Sequence, residues 1–474
     1  MYFSAVNHNY ILMTLIKSIS GIRGTIGGQP GNNLTPPDVV SFTAAFASYI
    51  GSLSKNQRKK IVIGRDARTS GAMISGLVSN TIIALGIDVI DLGLSTTPTV
   101  EMAVTHFNAD GGIVLTASHN PSQWNALKLL NSKGEFISDV EGKNIIEVAN
   151  RSMFSFANVD EIGSVQIISN GFIDEHISKI LELPYINKEA IAASDISVVV
   201  DAVNSTGGLA IPRLLDALGV KKIERLNCEP NGIFAHNPEP LAEHLTEISE
   251  VVKNKKADMG IVVDPDVDRL AFISEDGTMF GEEYTLVAIA DYLLPIKKGN
   301  TVSNLSSSRA LADITKLHGY EYAAAAVGEV NVVVKMKETN AVIGGEGNGG
   351  IIVPDLHYGR DALAGLAIFL TYYASKKMKM TEIRNALPGY FMSKNKIELN
   401  DGINVDELLK KVETEYRNEK VNTIDGVKID LSDGWIHLRK SNTEPIIRIY
   451  TEGVTLQKAE ELATDIRKKI QAMI

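Results

Sequence analysis

Three aspartates stand at alternate positions in "DPDVDR": Asp264, Asp266 and Asp268, followed by Arg269. They come directly after the apolar run Met259–Val263. Carboxylates crowded on one loop raise each other's pKa unless a cation relieves them, and hard divalent ions such as Mg2+ prefer carboxylate oxygens. A second chemical spot is "TASHNP", Thr116–Pro121, where the apolar run Ile113–Leu115 stops. Ser118 offers a hydroxyl at a strand end, with His119 beside it. Serine is a poor nucleophile until a base, a metal or a phosphoryl group changes its chemistry. Both stretches also suit plainer roles: a solvated acidic turn and an ordinary Ser/Asn/Pro turn.

The acid spacing is superficially that of a calcium-binding EF-hand loop, with Glu275 at the twelfth position. Arg269 occupies the sixth position, where glycine is needed, and both flanks read as strands, so that reading is excluded. A third loop, "IGGEGNGGII", holds five glycines between Gly344 and Gly350. Its backbone can approach a ligand closely, and only Glu346 and Asn348 carry functional side chains. A carboxylate and an amide there suit vicinal hydroxyls, as a sugar offers. The fourth is "LRKSNTEPIIRIY", where Arg439, Ser441, Asn442, Thr443 and Arg448 gather round a tight turn. Arginine forks, hydroxyls and exposed amides suit a phosphate, though a hairpin with solvated charges has the same letters. Arg23 emerges from the glycine-rich turn "SGIRGTIGG", "GRDAR" places basic residues at a strand end, and Gly328 and Glu329 lie at a possible strand end in "AVGEVNVV".

The elements that must position these loops follow a repeated grammar. A β-branched run ends in a polar or glycine-rich loop, and a helical pattern follows. "KKIVIGRDAR", "ISVVVDAVNSTGG" and "TVSNLSSSRAL" each open such a unit. Continuous apolar strands alternating with helices predict mixed α/β sheets covered on both faces, with ligands beyond the strands' carboxyl ends. The last segment predicts an α+β domain with an antiparallel sheet: strands near 394–399, 427–431, 435–438 and 446–451, and helices at 405–419 and from Leu456. Boundaries fall near 168–171, 277–281 and 387–389. The expected domains are therefore 1–168, 169–278, 279–387 and 388–474.

Composition narrows the function. The chain has 474 residues and a net charge of −10, which argues against general nucleic-acid binding. An anionic substrate must then be met by local basic residues. One cysteine, Cys228, excludes an internal disulfide framework and fits a reducing, cytoplasmic setting. No apolar run approaches the ~20 residues of a membrane helix. The N-terminus does not read as a signal peptide, and a start at Met13 would leave the first twelve residues as extra sequence.

In their order along the chain, the four loops resemble those of the α-D-phosphohexomutase superfamily, in its archaeal-type branch, from about Ile19 to the C-terminus. That resemblance implies three similar mixed-sheet α/β domains plus a C-terminal α+β domain round a central cleft. "TASHNP" matches the phosphoserine loop, making Ser118 the residue that carries a phosphoryl group. "DPDVDR" matches the Mg2+ loop, with Asp264, Asp266, Asp268 and the phosphorylated Ser118 as ligands. "GEGNG" matches the sugar loop, with Glu346 and Asn348, and "RKSNTEPIIR" the phosphate loop. Lys128, ten residues past Ser118, matches the family's proton-shuttling lysine, although an exposed lysine on the strand "ALKLL" is the plain alternative. Arg23 and Arg269 are expected to support the phosphoserine and the transferring phosphate, His119 either to support the site or simply to pack as a polar residue, and Gly328 and Glu329 to meet the sugar. The implied reaction interconverts hexose 6- and 1-phosphates through a 1,6-bisphosphosugar, which also serves as activator.

Two features depart from the family. Gly350 stands where many members have a histidine, for which His357 is a candidate substitute, and the opening appears as "IKSISGIRG". Glucosamine 6-phosphate is the expected sugar, with Glu329 as a carboxylate for the amine. Glucose or mannose phosphate is the alternative. A metal-dependent sugar phosphatase and a non-catalytic sugar-phosphate sensor are the competing classes. The expected partners are a small sugar phosphate, no nucleic acid and no membrane, in a monomer or homodimer.

Overall fold

The computed structural model describes residues 13–18, 21–53, 58–399, 403–440 and 446–473. The chain divides into two compact units. The first comprises residues 1–174, 204–206 and 229–239, and the second the remainder.

The first unit holds a seven-stranded sheet: β1 (Ile16–Ser18), β2 (Gly21–Thr25), β3 (Lys60–Arg65), β4 (Asp88–Leu94), β5 (Gly111–Leu115), β6 (Trp124–Leu130) and β7 (Val165–Ile167), in the order β1-β2-β6-β5-β3-β4-β7. β3 is parallel to β4 and β5, whereas β6 runs antiparallel to β5. Ile61 and Ile63 of β3 enter one core with Phe42, Phe46 and Ile74, while Val62 enters another with Ile90, Val100 and Val114. Burial on both faces is why these strands read as unbroken apolar runs. The helices carry local start signals, as at Asp139–Asn150, where Ser138 and Glu141 form a capping box.

In the second unit, β8 (Ser197–Asp201), β9 (Lys222–Leu226), β10 (Met259–Val263) and β11 (Leu270–Ser274) form one four-stranded sheet, ordered β11-β10-β8-β9. β12 (Thr301–Asn304), β13 (Tyr322–Ala325), β14 (Ile343–Glu346) and β15 (Gly350–Ile352) form another, which read from its other edge is β15-β14-β12-β13. Numbered within each sheet, both follow the spatial order fourth-third-first-second, and β6-β5-β3-β4 repeats it in the first unit. In all three the fourth strand is the antiparallel one. The turn from third to fourth strand carries, in turn, "TASHNP", "DPDVDR" and "GEGNG". Duplication, faint in the letters, is plain in the topology.

The last sheet is antiparallel, ordered β16-β20-β19-β18-β17, from β16 (Phe391–Glu398), β17 (Lys420–Asn422), β18 (Val427–Leu431), β19 (Gly434–Lys440) and β20 (Ile446–Gly453). Ile466 and Ile470 of the closing helix Leu456–Met473 pack against its Ile447 and Ile449. Two local expectations change. Arg23 lies on β2, paired with Ala126 of β6, not on a turn. Gly328 and Glu329 open the helix Glu329–Thr339 instead of closing a strand. Among the described residues, no helix is long and apolar enough to cross a membrane.

Candidate active site

The Ser118 turn is shaped by one buried ion pair. Asp66 accepts from Arg68 Nε at 2.9 Å and from the Thr116 hydroxyl at 2.6 Å. Thr116 Oγ1 in turn accepts the Ser118 amide at 2.9 Å. The Arg68 guanidinium, 1% exposed, donates to the carbonyls of Ser118, Asn120, Pro121 and Trp124. These bonds hold Ser118 at φ 48°, a left-handed conformation that costs a non-glycine residue energy. His119 Nδ1 lies 3.5 Å from Ser118 Oγ. Lys128 sits on β6 opposite Val114 and is buried, its ammonium 5.6 Å from the Phe136 ring centre. The exposed-strand reading of Lys128 is therefore wrong. Arg23 pairs with Ala126, two residues before Lys128, so both cations share one face of the sheet.

The acidic turn is no solvated loop. Asp264, Asp266 and Asp268 are all 0% exposed, with candidate ligand oxygens within 4.8 Å of one another. Asp264 Oδ1 accepts the amides of Asp268 and Arg269 at 3.1 Å, which folds the turn back on itself. Val267 is held at φ 62°, an outlying conformation for a β-branched residue. Arg269 Nε stands 4.0 Å from Asp268.

The glycine-rich turn lies against this one, since the Leu270 amide donates to the Gly349 carbonyl at 3.0 Å. A side chain at Gly349 would meet the Leu270 carbonyl at 2.3 Å, and its φ is 85°. Glu346 accepts from the Asn304 amide at 2.8 Å and from the Gly328 amide at 3.1 Å. Asn348 Nδ2 lies 3.5 Å from its other oxygen. Arg360 joins the two turns. It donates to Asp268 at 2.6 Å and to Glu346 at 2.7 Å, and its Nε stands 3.0 Å from Glu329. Burial alone would raise the Glu346 carboxyl, but Arg360, Asn304 and Arg269 hold it below its ordinary value. Burial works against the Arg360 charge too, yet Asp268, Glu329 and Glu346 push its pKa well above the ordinary value. Five carboxylates (Asp264, Asp266, Asp268, Glu329 and Glu346) thus gather around two guanidiniums, Arg269 and Arg360. That excess, with three acids converging, fits a divalent cation at Asp264, Asp266 and Asp268.

In the last sheet, Arg439 and Arg448 are direct cross-strand partners. Like charges placed opposite each other disfavour the sheet unless an anion lies between or near them. Asp425 takes Arg439 Nε at 2.8 Å, while Arg448 is exposed. Ser441, Asn442 and Thr443 lie outside the described residues.

Family models of phosphoglucomutase/phosphomannomutase match the chain in four consecutive pieces: α/β/α domain I at residues 15–155, domain II at 174–277, domain III at 281–391 and the C-terminal domain at 396–469. The chain belongs to the phosphoglucomutase/phosphomannomutase family. A phosphoglucomutase/phosphomannomutase of Thermococcus kodakarensis is 36% identical over 443 residues, covering 92% of this chain and 96% of that protein. A phosphoglucosamine/phosphogalactosamine mutase of Sulfurisphaera tokodaii is 31% identical over 459 residues, covering 95% and 98%. A crystal structure of a family protein from Burkholderia thailandensis superposes with a TM-score of 0.83 at 25% identity, covering 98% of this chain and 97% of that one. The chain is an enzyme, a phosphosugar mutase of the isomerase class.

The phosphoglucomutase/phosphomannomutase match leaves two sequence candidates to weigh. Both Glu329 oxygens are engaged by Arg360, one by the guanidinium and one by the backbone amide at 3.1 Å, so this carboxylate's charge is met within the protein. His357 Nε2 donates to Asp361 Oδ2 at 3.2 Å, and His176 Nε2 donates to the same oxygen at 2.9 Å. Asp361 Oδ1 caps the helix Ala362–Lys376. His357 is thus tied through Nε2 to the carboxylate that also holds His176 and caps the helix. Sequence reasoning gave no role to Asp66, Thr116, Asn304 or Arg360. Arg68 and Asp66 were visible only as letters of "GRDAR". Arg360, a lone arginine before a helix-capping aspartate, carries no spacing signal at all.

Proposed function

We propose that this enzyme interconverts hexose 6-phosphate and hexose 1-phosphate through a phosphorylated Ser118, with glucosamine 6-phosphate as the preferred sugar. The observation that carries the reaction is the convergence of three fully buried aspartates at a strand end, in an assembly with excess negative charge. Asp264, Asp266 and Asp268 would hold Mg2+, which when bound offsets charge building on the transferring phosphoryl oxygens. Ser118 gives its phosphoryl group to the free sugar hydroxyl: the Oγ–P bond breaks, the sugar O–P bond forms, the hydroxyl proton passes to the Lys128 amine, and the ammonium so formed returns a proton to the departing Ser118 Oγ. The resulting 1,6-bisphosphosugar turns end over end and returns its other phosphate to Ser118. Glu346 and Asn348 orient sugar hydroxyls in both poses. Arg439, Arg448 and the Ser441–Thr443 segment clamp the phosphate that is not reacting.

"SNTEP" and "GEGNGG" suit a branch that holds both kinds of mutase, and support for the amino sugar comes from relatives named phosphoglucosamine/phosphogalactosamine mutase and probable phosphoglucosamine mutase. The second reading, glucose or mannose phosphate, is favoured by the pairing of Glu329 with Arg360 and by the 36% identical Thermococcus relative. Comparing kcat/KM for the three sugar phosphates decides between them. Absent turnover of glucosamine 6-phosphate would reject the first. Isomerisation stimulated by hexose 1,6-bisphosphate, with little free phosphate released, is expected. Stoichiometric phosphate release would instead identify a phosphatase.

A further inference from the structure

Arg360 hydrogen-bonds to both the acidic turn and the glycine-rich turn, and its Nε forms an ion pair with Glu329 at the start of the helix Glu329–Thr339. Its three contacts use separate nitrogens of one planar fork, at 2.6, 2.7 and 3.0 Å, and its side chain is only 10% exposed. The fork is itself fixed. The Arg360 amide donates to Glu329 Oε1 at 3.1 Å, and its backbone bridges to Ile352 of the strand that follows the glycine-rich turn. Its aliphatic stem runs over Gly350, where a Cβ would lie 2.3 Å from the Arg360 Cδ. Gly350 has no left-handed φ, so space for this stem is the constraint on that glycine.

We propose that Arg360 is the positioning residue that sets the metal turn and the sugar turn as one piece. It fixes one oxygen of Asp268, leaving the carboxylate's orientation toward the cation determined, and the same fork fixes Glu346 toward the sugar. Lysine cannot replace it, because a single ammonium is a point charge and cannot set separate fixed donors on Asp268 and Glu346 while pairing with Glu329. The inference rests on the proposed metal role of the aspartates, and it can fail separately from that role.

The test is a Mn2+ titration of the full chain without sugar, read by electron paramagnetic resonance, alongside steady-state kinetics and circular dichroism. Removing a residue that orients a metal ligand typically weakens metal affinity or activity by about 10–100-fold. Arg360→Gln and Arg360→Lys should both raise the Mn2+ Kd within that range while the fold persists. Both should also raise the KM for sugar phosphate, because Glu346 loses the same anchor. Gly350→Ala, which displaces the stem but keeps the charge, should shift Kd and KM in the same direction by a smaller factor. It also carries the test if Arg360→Gln fails to fold. The proposal is overturned if the Lys variant matches the parent in Mn2+ Kd and KM, or if Gly350→Ala leaves both unchanged. If the parent chain itself binds no Mn2+, the metal reading falls first.

Discussion

The Ser118 turn and the Asp264–Asp268 turn occupy the same place in their sheets, between the third strand and the antiparallel fourth, yet they are stabilised in opposite ways. The first is balanced. Arg68 pairs with Asp66, and its other donors go to neutral carbonyls. The second is unbalanced, with acids from two turns and a helix start sharing Arg269 and Arg360. One construction holds a hydroxyl in a strained pose with no net charge nearby in the turn. The other stores a charge excess that the proposed cation would relieve. A single repeated topology therefore gives two electrostatic environments, chosen by which residues fill the turn. In both, a buried arginine does the fixing, but Arg68 organises backbone and Arg360 organises carboxylates.

Ser118→Ala attacks the balanced turn at its reacting atom and has the largest expected effect. kcat/KM should fall by about 10^4-fold or more, since the substitution removes the oxygen that carries the phosphoryl group in the proposed reaction. Arg68→Ala breaks the buried pair and strands Asp66. Breaking such a pair costs about 3–5 kcal/mol, read as a lower denaturant midpoint. Asp266→Asn leaves the Ser118 turn intact and should reduce kcat by about 10^2–10^3-fold while weakening Mn2+ binding. If Arg68→Ala lost activity with no loss of stability, the contrast drawn between the two arginines would be wrong.

Acid titration adds a smaller test. Burial, with the Lys428 and Arg439 cations nearby, pushes the His437 imidazole down from 6.5 to about 4. Its folded pKa is depressed, so its share of stability is full above pH 6.5 and is lost as pH falls through 4. The total is up to about 3 kcal/mol, and His437→Gln should flatten the fall in midpoint over that window. Arg448→Ala should have the smallest effect, raising KM about tenfold with kcat nearly unchanged, because a phosphate clamp binds ground and transition states alike. A fall in kcat at constant KM would move Arg448 into the chemical step.

Much of this was legible in the letters because local chemistry dictates it. Apolar runs marked the strands, and the polar turns interrupting them are the ones that gather buried acids or a strained serine. The antiparallel last sheet was legible from alternation and turn residues. What escaped was set by distant parts of the chain. Strand order is fixed by long-range pairing, so the threefold repeat in topology was faint in sequence. Lys128 alternates like an exposed residue, but the cover of its face by other elements buries it. Positive φ at Ser118 and Val267 has no glycine to announce it. Arg360 meets Asp268, a residue 92 positions away, and no local pattern encodes that meeting.

The most direct measurement follows the phosphoryl group itself. The Ser118 peptide of the purified enzyme should carry an increment of ~80 Da, that of one phosphoryl group. When the enzyme labelled at that serine with 32P is mixed with unlabelled hexose 6-phosphate, label should leave the protein and appear in sugar phosphate within a single turnover. Isomerisation that proceeds while the label stays on the protein, or with Ser118 never modified, would contradict the account.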